Sequence, residues 1–206
     1  MLKKKTRSIL RLIIDVATPL LEWVFRRESV ARVYWNLRTD GLIRKYRTGA
    51  QAQDAYPIFR VYLEKYSPVR LLDIGCGSGR LFPLFAELNV PEIVGIDISS
   101  AAIKEIRPSP NCRVEVMTVE DLSFPPDYFD AAISNAVLRY VPHGANIARA
   151  ISNIAEQCKS VLPREPIRGK DSYYNFIHDY EALFQGKMRL VEHYEDGPVD
   201  VMIFKK

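Results

Sequence analysis

The stretch Val69-Arg-Leu-Leu-Asp-Ile-Gly-Cys-Gly-Ser-Gly-Arg80 decides how this chain is read. Val69 to Ile74 has the mainly apolar character of a parallel strand buried on both faces. A helical pattern runs from Arg80 to Leu88, and Gly75, Gly77 and Gly79 lie between the two. A strand that turns sharply into a helix needs residues free to take φ > 0. A ligand resting against the backbone needs no Cβ in its way. Pro91 to Asp97 then reads as a second strand, ending in an acid 18 residues after Gly79. In dinucleotide-type folds an acid at that place accepts hydrogen bonds from ribose hydroxyls. Strand, glycine turn, helix, strand and acid in register predict an α/β fold that binds a nucleoside-containing ligand.

The NAD fingerprint G-x-G-x-x-G, started at Gly75, would need its third glycine where this chain has Arg80. Asp73, just before the turn, would repel a pyrophosphate and suits a ligand carrying an ammonium or sulfonium group. The local chemistry therefore favours a cationic amino-acid nucleoside over a dinucleotide. Each residue also has a plainer reading. The glycines could be turn residues, Asp97 a cap for the segment starting at Ser99, and Cys76 a small packing residue.

The run Leu71 to Arg80 resembles the first motif of class I S-adenosylmethionine (SAM)-dependent methyltransferases of the small-molecule type. Val94-Gly-Ile-Asp97-Ile-Ser resembles their second. Glu120 to Pro142 resembles the stretch that runs into their fourth strand. The likeness covers residues 68–165. It implies a Rossmann-like sheet of seven strands, mostly parallel, with an antiparallel C-terminal hairpin and helices on both faces. It implies SAM as cofactor and S-adenosylhomocysteine as product. Asp73 would contact the methionyl amine, and Gly75, Cys76 and Gly77 would let the backbone approach the ligand. Asp97 would bind the ribose hydroxyls, with Ile98 on the adenine. Ser134 and Asn135 would line the methyl-donor mouth. Thr118 stands where many relatives have the acid that binds the adenine amine, so Glu120 or the backbone around Val119 takes that role.

The remaining elements fit this plan. Phe129 to Ser134 reads as the fourth strand, with Asp130 ordering a loop, and Gly144 to Ser160 as a helix. Val161 to Glu165 reads as a short strand, although Pro163 is unusual in a central one. Ser172 to Phe184 has a helical pattern, and Met188 to Phe204 reads as a hairpin turning at Asp196-Gly-Pro. Tyr140 and His143 are the candidate catalytic residues. Arg139 could anchor an anion, and Tyr173, Tyr174 and His178 could approach from a later loop. Related small-molecule enzymes often carry a histidine where this chain has Tyr140.

Composition narrows the classes. Of 206 residues 48% are apolar, enough for a full core. The three cysteines, Cys76, Cys112 and Cys158, form no CxxC pair, which argues against a disulfide framework or a zinc site and suits a cytoplasmic setting. The net charge of +4 is uneven: residues 1–50 hold 12 Lys/Arg against 4 Asp/Glu, the remainder 17 against 21.

Residues 1–67 read as a helical arm or cap ahead of a SAM-binding domain over 68–206. Lys3, Lys4, Lys5 and Arg7 precede an apolar run from Ile9 to Phe25 whose polar residues fall on one helical stripe; Pro19 should kink it. A transmembrane span needs about 20 apolar residues, and this run is shorter and interrupted by Arg11, Asp15 and Glu22. Two uses remain. The arm packs on the domain or on a second subunit of a homodimer, or residues 1–27 lie in a membrane interface and make the protein peripheral. Between Glu28 and Ser67 the pattern is helical and aromatic, with Gly41 and Gly49 as expected breaks; most rings should be core, with one or two capping a ligand pocket.

The function expected is methyl transfer to an oxygen or nitrogen of a small-molecule or lipid-linked acceptor, with no metal. The apolar arm fits nucleic acid poorly. The alternative is a non-catalytic SAM-binding or scaffold protein acting through its arm.

Overall fold

Parallel pairing begins with β1 (Arg70–Ile74), which lies between β2 (Glu92–Asp97) and β4 (Ala131–Asn135). The computed structural model describes residues 27–48, 56–107, 109–171 and 175–206. The arm before Arg27, with Pro19, lies outside them, as do Gly49, Tyr173 and Tyr174. Around β1 the sheet extends to β3 (Cys112–Val116) on one side and to β5 (Ser160–Glu165), β7 (Val199–Lys205) and β6 (Arg189–Asp196) on the other. The seven-stranded order is β3-β2-β1-β4-β5-β7-β6, parallel through β5 and antiparallel in the final pairings. The chain leaves β1 toward β2 and later returns beside it as β4. That reversal opens a crevice at the carboxyl ends of β1 and β4, where ligands bind in such sheets.

Both faces of the sheet are covered. On one, Leu72, Ile74, Val94 and Ile96 pack against Ile147, Ile151 and Ile154 of α5 (Ala145–Gln157), whose apolar residues recur every three to four positions. On the other, Leu71, Ile93 and Ile133 meet Phe59, Tyr62 and Leu63 of α2 (Tyr56–Tyr66) and Leu84 and Phe85 of α3 (Phe82–Glu87). Tyr62 Oη shares a 2.9 Å hydrogen bond with Ser160 Oγ. A boundary at residue 68 therefore does not separate α2 from the sheet. Asp130 orders the strand ends, accepting from the Val69 and Arg70 amides at 3.0 and 2.9 Å.

Several local expectations change. Helix α1 (Arg27–Thr48) continues through Gly41, since one glycine costs a helix only about 1 kcal/mol against alanine. The third strand, without a clear apolar pattern, is an edge carrying Arg113 and Glu115. These two pair at 3.1 Å. Of the helix expected over Ser172 to Phe184, residues 172–174 lie outside the described residues, and the rest is helical only from Tyr180 (α6, Tyr180–Phe184), where the Asp179 carboxylate accepts from the Ala182 amide at 3.0 Å and caps it. Pro163 is accommodated inside the sheet. It pairs with Ser134 of β4, while the pairs to β7 are made at Ser160, Val161, Arg164 and Glu165 on either side of it.

Candidate active site

The glycine turn is shaped by hydrogen bonds and by one close contact. Gly75 and Gly77 have φ of +68° and +56°, and the Gly75 and Cys76 amides both donate to Ile96 O, at 2.8 and 3.0 Å. A Cβ on residue 75 would stand 2.3 Å from Val137 Cγ2. Only glycine fits between the turn and the segment after β4. Cys76 is buried, and burial pushes its thiol up.

Asp73, the buried penultimate residue of β1, has Oδ2 lacking any hydrogen-bond partner among the described residues. Burial raises its carboxyl to about 8. The Arg80 charge opposes the shift and Asp97 adds to it. Asp97, at the end of β2, accepts the Gly77 amide on Oδ2 at 2.9 Å and the Ser99 amide on Oδ1 at 2.7 Å. Each carboxylate oxygen keeps a lone pair for a further donor. Burial raises this carboxyl too, against those two hydrogen bonds.

Both acids open on one cavity of about 360 Å³, within the range of small-molecule and cofactor sites. Gly75, Cys76, Gly77, Ile98, Val119, Glu120, Asn135 and Tyr140 also line it. Glu120 accepts from Asn146 Nδ2 at 3.3 Å, and Asn153 Nδ2 donates to Glu120 O at 2.8 Å, so α5 fixes the short 3₁₀ turn Val119–Asp121.

Helix α1 forms the roof. Asn36 Oδ1 accepts from Ser99 Oγ and from the Ala101 amide in the first turn of α4 (Ser100–Ile103), at 2.9 and 3.2 Å, and Thr39 Oγ1 shares a 2.9 Å hydrogen bond with Ser99 Oγ. These contacts lay α1 across the end of β2 and turn Tyr34 and Trp35 onto the cavity. The Trp35 and Tyr140 rings meet edge to face at 4.6 Å.

Ser134, Arg139, His143 and His178, all expected near the site, stand outside the cavity wall. Ser134 is fully buried and donates to Glu165 Oε1 at 2.7 Å, so it does not line the cavity. Its hydroxyl is taken up by that carboxylate, and Asn135 is the β4 residue that lines the cavity. His143 is half-exposed and outside the cavity wall. It is paired with Asp171 at 2.8 Å and set edge-on to Phe176 and His178. Arg139, expected as an anion anchor, is engaged with Asn175 Oδ1. Residues not foreseen are Val137, Phe176 and Arg149 in the wall, and Glu165 behind it. Pro163 drew the eye to β5, but nothing in the spacing linked Glu165 to a loop 26 to 31 residues earlier.

A buried carboxyl with one oxygen unpartnered among the described residues, a turn that admits no Cβ at Gly75 and a second carboxylate with lone pairs to spare fit a ligand with an ammonium group at Asp73 and hydroxyls at Asp97. Residues 72–160 match the family model described as a methyltransferase domain. This segment is a methyltransferase domain, and its sheet is the class I, Rossmann-like fold. The chain is 26% identical over 142 residues to a ubiquinone biosynthesis O-methyltransferase of Neisseria meningitidis serogroup C, a match covering 64% of this chain and 60% of that protein. Against a probable tRNA methyltransferase 9B of Bos taurus it is 32% identical over 110 residues, 53% of this chain and 23% of that one. The chain thus spans 60% or less of the length of these relatives. In fold it is similar to magnesium protoporphyrin IX methyltransferase from Synechocystis PCC 6803, solved with bound SAM, at a TM-score of 0.69 and 16% identity. That superposition covers 87% of this chain and 96% of the other.

Proposed function

We propose that this protein transfers the methyl group of SAM to an oxygen or nitrogen of a small-molecule or lipid-linked acceptor. The observation that carries the reading is Asp73: a carboxyl buried in the cavity wall beside the glycine turn, with Oδ2 unpartnered among the described residues. Leaving such a group unpaired is costly unless a cationic ligand completes it. When bound, SAM supplies a methyl group on a sulfonium, ready for in-line displacement. The chain's own work is to bind, align and exclude water. Asp73 holds the ammonium and Asp97 the ribose hydroxyls. Ile98, Val119 and Glu120 receive the adenine, and Gly75, Cys76 and Gly77 let the backbone approach. Asn135 and Tyr140 face the reacting side, under the Trp35 roof. Tyr140 is the candidate to hold or accept an acceptor proton. His143 and Asp171, one ring behind Phe176, are the rival pair for that proton.

The relatives named for small-molecule methylation support the acceptor class. A lipid-linked acceptor is favoured by α1, whose inner face lines the cavity while Val33 and Leu37 of its outer face are 59% exposed. Isothermal calorimetry with SAM and S-adenosylhomocysteine tests the reading. Micromolar binding of both is expected, followed by label transfer from SAM into an extract of small molecules and lipids. Binding without transfer would move the protein to the SAM-binding scaffold class; no binding by the folded chain would end the cofactor assignment.

A further inference from the structure

Glu165, the last residue of β5, is fully buried, and its carboxylate gathers donors from another element. Oε1 accepts from Ser134 Oγ at 2.7 Å, the Val137 amide at 2.8 Å and the Leu138 amide at 3.0 Å; Oε2 faces the Arg139 amide at 3.4 Å. These amides open the 3₁₀ turn Leu138–Tyr140, whose own first residue offers no side-chain cap. A helix start leaves its first amides without acceptors, so Glu165 caps this one from across the sheet. The bend that precedes it is sharp, with Ala136 at φ +56° and its amide bonded to Arg164 O at 2.9 Å.

Three walls of the cavity meet on that turn. Val137 is the side chain pressed on Gly75, Tyr140 meets Trp35 of the roof, and Arg139 O accepts the Phe176 amide at 2.7 Å. We propose that Glu165 is a positioning residue of the methyl-transfer site: by holding the amides of residues 137–139 it sets where Val137 meets the glycine turn and where Tyr140 meets the acceptor. It touches neither ligand, and its assignment rests on the methyltransferase reading above.

The test compares Glu165→Gln, which keeps one acceptor oxygen for the Oε1 donors, with Glu165→Leu, which fills the space and accepts nothing. Amide hydrogen exchange of the ligand-free protein reads the turn, and calorimetry with S-adenosylhomocysteine reads the site. In Glu165→Leu the Val137 and Leu138 amides are expected to lose protection about 100-fold while Ile133 in β4 keeps its own. The S-adenosylhomocysteine affinity is expected to fall about tenfold or more, and in Glu165→Gln to stay within about threefold of the parent. A folded Glu165→Leu protein with parental affinity and parental protection at 137 and 138 would overturn the proposal. If that variant does not fold, Glu165→Asp decides by the same readings, because its carboxylate is withdrawn by one carbon. Failure of the parent itself to bind S-adenosylhomocysteine would remove the methyltransferase reading. The exchange data would still tell whether Glu165 holds the turn.

Discussion

Val137 and Gly75 touch so closely that a methyl group added to residue 75 would stand 2.3 Å from Val137 Cγ2. The glycine loop after β1 and the turn after β4 are therefore one packed unit, and ligand and acceptor geometry are set together.

Gly75→Ala should be far worse than Gly77→Ala. Both positions have positive φ, which costs a residue with a Cβ about 1–2 kcal/mol. At Gly77 nothing stands within 4 Å of an added Cβ, whereas at Gly75 the contact adds overpacking of about 1–3 kcal/mol. Thermal melts and SAM titrations of the two variants check this; equal effects would refute the close contact.

Asp73→Asn should lower SAM affinity by about ten- to a hundredfold while raising the stability of the ligand-free protein at pH 8. The native carboxyl titrates near 8, above its unfolded value of 3.8. The free native state thus holds its proton more tightly than the unfolded chain. Its contribution to stability is fully present below about pH 4 and is lost as pH rises toward 8. An ammonium ligand needs the ionised form, so affinity should weaken as pH falls below 8, by at most about tenfold per pH unit. Melting curves with and without SAM from pH 6 to 8.5 read both slopes, and Asn at 73 should flatten both.

Asp97→Ala should weaken SAM binding by about 1–3 kcal/mol through lost hydrogen bonds to the ribose. It should also loosen the free protein, because the Gly77 and Ser99 amides lose their acceptor. Calorimetry giving the parental affinity would remove Asp97 from the ribose site.

Once an acceptor is known, Tyr140→Phe should lower kcat by about 10- to 100-fold, and His143→Ala by less than about fivefold. Tyr140 lines the cavity, while His143 is turned outward to Asp171. The reverse ranking would make the His143–Asp171 pair the proton acceptor.

Deleting residues 1–26 spares α1 and should leave SAM affinity nearly intact. If the arm serves a membrane surface, the same deletion should abolish binding to anionic liposomes, as measured by co-sedimentation. Collapse of the fold on deletion would place the arm in the core or a subunit interface instead.

What the sequence determined by itself was the first half of the site. Asp73, the glycines and Asp97 lie within 25 residues, at the ends of two adjacent strands, and the bonds that shape them stay inside that one strand–turn–helix–strand unit: Gly77 to Asp97, Gly75 to Ile96. Strand period, glycine placement and an acid at the next strand end are all short-range signals, and the terminal hairpin was legible for the same reason. The acceptor side was decided only in three dimensions. Trp35 reaches the cavity because Asn36 and Thr39 bind Ser99, 63 and 60 residues further along the chain. Tyr140 is placed by Glu165, whose partners lie on the neighbouring strand and the turn beyond it. Ser134 turns away from the ligand for the same carboxylate. A buried acid takes whatever donors the fold brings to it, and no periodicity along the chain records which ones those will be.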